Sequence, residues 1–230
     1  MNRRTWAIAG GALVVLALGG LALVYFVLFP TSSPKKFAID GGSAAPPAAT
    51  ESASSSSGGG WKVASGSQAG YRVREKLAFL PAKSDAVGRT SKITGSADST
   101  DSGGRLEFTK ASFRIDVSSL TSDRAMRDAR IHEIGLESSR FPTATFVLSK
   151  PLRMPAGTVG KAKATGVLTL HGVSKTETIP LQVKQSGSAL EAVGSLTFPW
   201  SQFGMTAPSV AGFVSVEDQA TMEFDLHLTR

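Results

Sequence analysis

The side chains able to do chemistry are few and scattered in this chain of 230 residues. There is no cysteine, which excludes a thiolate nucleophile, a disulfide framework and a Cys-based metal site. The three histidines, His132, His171 and His227, fall in a helical stretch, at a hairpin end and on the outer face of a strand. Their spacing matches no metal-binding pattern. Serines are abundant, yet none sits in a G-x-S-x-G elbow. A phosphate-cradling glycine loop and a dinucleotide fingerprint are absent as well. The reading is no enzyme, no metal and no cofactor. Three charged residues stand out instead. Glu75 takes an inward position on an alternating strand, where a carboxylate is costly unless paired. A basic partner at a barrel mouth would satisfy it; a polar handle for a ligand headgroup is the other reading. Arg127 neighbours Asp123 and Asp128, so charge-assisted hydrogen bonds could pin a short helix there or meet a headgroup. Arg89 is a third candidate for that polar end.

Strands must position these residues, because alternation with a period of two dominates the sequence after residue 60. In residues 165–183, Leu168 and Leu170, then Ile179, Leu181 and Val183, mark one apolar face across a break at Gly172, which predicts a hairpin. Pro180 has no N–H for a ladder and should sit at a bulge or unpaired position. Tyr71, Val73, Leu77 and Phe79 share a face with Glu75, and Val87, Arg89, Ser91 and Ile93 are read as one face of a second strand. Residues 96–105 are dense in Ser, Asp and Gly and read as a turn. The run Leu106, Phe108, then Ala111, Phe113, Ile115, Val117 slips phase by one, which predicts a β-bulge. Residues 118–136 give the one helical segment, capped by Ser122, with Met126, Ala129 and Ile134 partly inward. Strands with Ala144, Phe146 and Leu148, with Leu190 to Leu196, and with Ala220 to Leu228 follow. Residues 198–214, with Phe198, Trp200, Phe203, Met205 and Phe213, read as a loop folded over an opening. The fold class expected is all-β: an eight-stranded antiparallel barrel with one short helix.

Before the barrel lie other kinds of sequence. Residues 1–5 form a short basic tail, read as cytoplasmic. Residues 6–29 are 24 uncharged, mostly apolar residues without a cleavage site or lipoprotein cysteine, enough for a single transmembrane helix acting as a signal anchor. In residues 30–60, Ser, Ala, Gly and Pro supply 23 of 31 positions, so a disordered tether is expected, with a reach of about 30 Å. The barrel domain, residues 61–230, would then be extracytoplasmic and the protein a single-pass protein of the cell membrane. From Trp61 onward 21 basic residues face 16 acidic ones, scattered and without a nucleic-acid motif, so no nucleic-acid partner is expected.

Four stretches carry a family resemblance: Thr121-Ser122-Asp123-Arg124-Ala125-Met126-Arg127-Asp128, Phe141-Pro142-Thr143-Ala144-Thr145-Phe146, Gly166-Val167-Leu168-Thr169-Leu170 and Gly172-Val173-Ser174-Lys175. In order and spacing they resemble the YceI-like family, bacterial envelope proteins that hold a lipid inside a lipocalin-like barrel. The resemblance runs from about Trp61 to Arg230. It departs at the first strand, where residues 66–73 replace the family's usual His-Ser start and aromatic alternation. The resemblance implies binding of an isoprenoid or other long-chain lipid, as ligand rather than cofactor. Its lining would be Tyr71, Val73, Phe113, Ile115, Phe146, Leu148, Leu168, Leu170, Phe198, Trp200 and Phe224, with Glu75, Arg89 and Arg127 at the headgroup. The alternative is a non-catalytic envelope interaction domain whose barrel is filled by its own side chains, with an unknown protein partner.

Overall fold

The computed structural model describes residues 33–39, 60–78, 83–101, 104–155, 159–209 and 214–230. The expected tail, the span at 6–29 and most of the tether lie outside these residues, as do Phe79 and Phe213. Lys35–Arg230 forms one compact unit. Its strands are β1 (Gly60–Val63), β2 (Gln68–Leu77), β3 (Lys83–Thr90), β4 (Ile93–Asp101), β5 (Arg105–Asp116), β6 (Thr143–Leu148), β7 (Leu152–Pro155), β8 (Val159–Leu170), β9 (Val173–Ser186), β10 (Ala189–Phe198) and β11 (Val214–Thr229). One short helix, α1 (Ala125–Arg130), follows β5 and continues into a wider helical turn, Ile131–Gly135.

The strand order β1-β4-β5-β6-β8-β9-β10-β11 returns to β1, because Lys62 and Val63 pair with Thr229 and Leu228. Eight antiparallel strands therefore close a ring, as the alternation pattern predicts. The long β11 also pairs with β2 along Val214 to Asp225, and β3 pairs with β2. β7 adds a short ladder on β5. The predicted bulge is present. Asp98 pairs with Lys110 and Ser99 with Phe108, so Thr109 is the extra residue that turns Phe108 and Ala111 to the same side. Pro180 is neither at a bulge nor unpaired: it stands opposite Lys163 in the unbroken β8–β9 register, and its tolerance fits its place one residue beyond the last β9–β10 pair, Leu181 with Gly194. The β8–β9 turn is a two-residue loop with positive φ at both His171 (51°) and Gly172 (73°), the geometry that matches strand twist.

Some sequence expectations change. Residues 87–93 are not one strand: the break at Ser91 and Lys92 shifts the phase, so Ile93 is buried in the barrel while Val87 and Arg89 pair with Arg72 and Gly70 on the outer face. Residues 96–101 are strand rather than turn, because Ala97, opposite Trp61 and Ala111, fills the interior and tertiary pairing overrides the polar composition. Helix α1 starts after Arg124 with no side-chain cap. Ser122 Oγ instead accepts from Arg124 N at 3.2 Å, and Asp128 Oδ1 accepts from Ser122 N at 2.8 Å. Met126 is 85% exposed and Ala129 is exposed; the inward side is made by Ile131 and Leu136, with Ile134 half-buried.

Candidate functional site

The barrel interior is alternately filled and hollow. At one end Trp61 is fully buried, donates from Nε1 to Ser99 Oγ at 2.9 Å, and carries the Arg230 guanidinium on its outer side, 4.4 Å from the ring centroid. At the other end two covers meet. The segment from Val117 to Leu136 brings Leu120, Ile131 and Leu136, and a helical turn at Trp200–Phe203 brings Phe198, Trp200 and Met205. Phe198 and Phe203 meet edge to face at 4.9 Å, and Trp200 Nε1 donates to the Glu217 carbonyl at 3.0 Å. The loop read from sequence as a cover over an opening takes that place.

Between the ends lies a cavity of about 180 Å³. It is lined almost wholly by aliphatic, aromatic and Met side chains; Glu223 borders it but holds its carboxylate on the outer face, against Arg72 and Arg89. Four of its aromatic rings pack directly over glycines of neighbouring strands. A Cβ built on Gly88 would stand 2.3 Å from Tyr71, on Gly95 2.5 Å from Phe113, on Gly166 2.5 Å from Phe146, and on Gly194 2.5 Å from Phe224. Gly88, Gly95 and Gly194 are the direct cross-strand partners of those rings. Without a side chain beneath it, each ring rests against the wall instead of reaching into the lumen. Ala69, Ala97, Ala111, Ala144, Ala164 and Ala192 keep the rest of the wall thin.

Of the residues expected to line a cavity, Tyr71, Phe113, Ile115, Phe146, Leu148, Leu168, Leu170, Phe198, Trp200 and Phe224 do so. Val73 is buried in the packed layer beneath the cap and does not reach the cavity wall. Glu75 and Arg127 meet beside the capped end: Arg127 Nη2 donates to Glu75 Oε1 at 2.7 Å, and Arg127 also binds Asp123. The carboxylate read as costly is thus paired with a basic residue supplied by the helix. Tyr71 sits between this pair and the apolar lumen. Burial pushes its phenol pKa well up, with Asp128 adding to the effect, and its hydroxyl makes no aligned hydrogen bond. Arg89 is elsewhere, on the outer face, donating from Nη2 to Glu223 Oε1 at 2.9 Å.

Sequence reasoning missed the cap residues Leu120, Ile131 and Leu136, which come from a segment without strand alternation, and Met154 on the four-residue strand β7. It also missed a group on the outer face. Glu191, Asp225 and His227 bring ligand-type atoms within 4.8 Å of one another through the Glu191–His227 cross-strand pair. The alternation Asp225-x-His227 and the β10–β11 register are the signals that place them together.

A family model described as the YceI-like domain matches residues 61–228. No curated protein matches the chain. Among solved structures, BcnA of Burkholderia cenocepacia is similar at 25% identity and a TM-score of 0.51, over 69% of this chain and 95% of that one. A polyisoprenoid binding domain from Saccharophagus degradans matches at 14% identity and TM-score 0.53, over 75% and 98% of the two chains. The Campylobacter jejuni YCEI protein matches at 18% and 0.53, over 67% and 90%. With a closed eight-stranded barrel and a family match over most of its length, this chain belongs to the YceI-like family.

Proposed function

We propose that this protein is a membrane-tethered, extracytoplasmic, single-pass binding protein that holds a long-chain isoprenoid or related amphiphilic lipid in its barrel. One observation carries the reading: a lumen with almost wholly apolar walls whose aromatic rings are laid back on glycines, leaving space that side chains do not fill. An apolar chain entering it leaves water at a gain of about 0.8 kcal/mol per methylene. The name of the Saccharophagus degradans protein, a polyisoprenoid binding domain, supports the same class of ligand. The polar end would be at Tyr71, Glu75 and Arg127, where a buried hydroxyl near Ser122 and an ion pair lie beside the capped end of the lumen. A barrel filled by its own side chains fits the cavity less well. The proposed role is to hold the lipid rather than to transform it. The test is native mass spectrometry of the full chain extracted from its source membranes, followed by lipid analysis. One prenyl-type lipid per chain is expected. An empty protein that ignores added quinones and prenyl phosphates overturns the reading.

A further inference from the structure

The outer face of the β2–β3–β11 sheet carries charges that are too well buried for a solvated surface. Glu223 is only 3% exposed although it points away from the lumen. Arg72 grips it with Nε at 3.1 Å and Nη2 at 3.3 Å, and Arg89 adds Nη2 at 2.9 Å. Asp85 balances the second positive charge through Arg72 Nη1 at 3.3 Å. Arg89 is also fixed through its backbone, which exchanges hydrogen bonds with Thr121 at 2.9 and 3.1 Å. Its guanidinium is thus held in one orientation, and ordering a partner against it costs little further freedom.

The partner is on the same chain. Arg89 Nη2 donates to the Lys35 carbonyl at 2.6 Å, and its guanidinium covers the Phe37 ring 3.8 Å from the centroid. Phe37 and Ile39 are half-buried, whereas Lys35, Lys36 and Ala38 between and beside them are exposed, the alternation of an extended strand laid on a surface. Composition points the same way. Between residues 30 and 60, Phe37 and Ile39 are the only apolar side chains larger than alanine and proline. A stretch serving purely as spacer has no use for them.

We propose that this outer face is a docking site for the chain's own residues 35–39, which strap the N-terminal part to the barrel and turn residues 40–59 from a spacer into a closed loop. The docking itself is independent of any membrane. Its consequence rests on the proposed span at 6–29: only residues 30–34 then separate membrane from strap, at most about 20 Å from residue 29 to residue 35 fully extended. A barrel so held works at the membrane surface, where an amphiphile can be received directly.

Lys35 and Lys36 are the only trypsin sites between Arg4 and Lys62, which gives a direct test. The full chain in amphipol is digested briefly, and release of an intact barrel domain is followed. Cleavage needs the strap undocked, so its rate follows the open population. Phe37→Ser, which lies outside the barrel and cannot unfold it, is expected to speed cleavage at least about tenfold, equivalent to ~1.4 kcal/mol. Arg89→Lys, which keeps the charge but loses the flat stacking surface, is expected to do the same. Equal rates for the parent chain and Phe37→Ser overturn the proposal. So does protection that fades on dilution, since a second copy would then be supplying the strap. Carbonate extraction of membranes tests the span separately, so failure of one reading is not failure of the other.

Discussion

Replacing Gly194 by alanine tests whether glycines set the width of the lumen. The new Cβ would stand 2.5 Å from Phe224 Cζ and 2.8 Å from Leu181 Cδ2, both side-chain ends rather than backbone. Carbon atoms settle at about 3.6 Å, so the Phe224 ring must withdraw by about 1.1 Å, and the only open direction is the lumen. The strand itself has no reason to move, because no left-handed φ is required at Gly194. Overpacking of this kind costs about 1–3 kcal/mol, which leaves a folded protein with a lower melting point. Binding should suffer separately. If the displaced ring denies the lipid contact with two methylenes, about 1.6 kcal/mol is lost, or roughly a fifteenfold rise in Kd. The assay is titration of the full chain in amphipol with a polyprenyl amphiphile, beside a thermal melt. Phe224→Leu in the Gly194→Ala background removes the ring that clashes and should recover much of the affinity, giving a double-mutant cycle. A folded Gly194→Ala protein that binds as tightly as the parent refutes the reasoning, since the lumen would then tolerate a ring in its path.

Other outcomes follow from the same geometry. Phe146→Asp places a charge on the cavity wall and should abolish lipid uptake in native mass spectra; undiminished binding by a folded variant would count against the lumen as the site. Arg127→Ala strips Glu75 of its partner in a nearly buried setting and should lower stability by about 3 kcal/mol in urea titrations, while adding Glu75→Gln should recover most of it. If the single and double variants are equally unstable, the pair is not what holds the helix. Asp225 has its carboxyl pKa raised by burial, against opposing pulls from His227 and Arg89. Its folded value therefore exceeds its unfolded one, so the folded state favours the proton and ionised Asp225 costs stability at neutral pH. Asp225→Asn should raise the urea midpoint at pH 7, and the gain should vanish as pH falls below about 4, where the carboxyl is protonated in both states. A gain that persists there would point to packing rather than charge.

How much of this was legible beforehand depended on whether a residue's neighbours were local. Alternation placed the inward sets of β6, β8 to β11 and the bulge in β5, because the period of two is a property of one strand. It failed at Ser91 and Lys92, where a two-residue break shifts the phase and turns Arg89 outward without any Gly or Pro to announce it. Residues 96–101 misled for a related reason. Their polar side chains face out, and the one telling residue, Ala97, is too small to register as a core position. Glu75 was read correctly as needing a cation, since an inward carboxylate is an anomaly within its own strand. The rings on glycines were only half visible: small residues were evident, but pairing Gly88 with Tyr71 requires the cross-strand register. Phe37 could not be placed, because nothing local distinguishes a docked strap from an apolar accident in a polar linker.

The ring closes where β1 meets the last residues of β11, through Lys62 with Thr229 and Val63 with Leu228. Its closing ladder therefore joins the first barrel strand to the last, across more than 160 residues of chain. Until that ladder forms, the remaining strands make only a curved open sheet with its apolar concave side exposed. Long-range closure of this sort is slow compared with hairpin formation. On the proposed function, a lipid present before closure would be enclosed as the seam forms, with no need to thread past Trp61 or the cap afterwards. Loading could thus be a folding event that happens once in the life of each molecule.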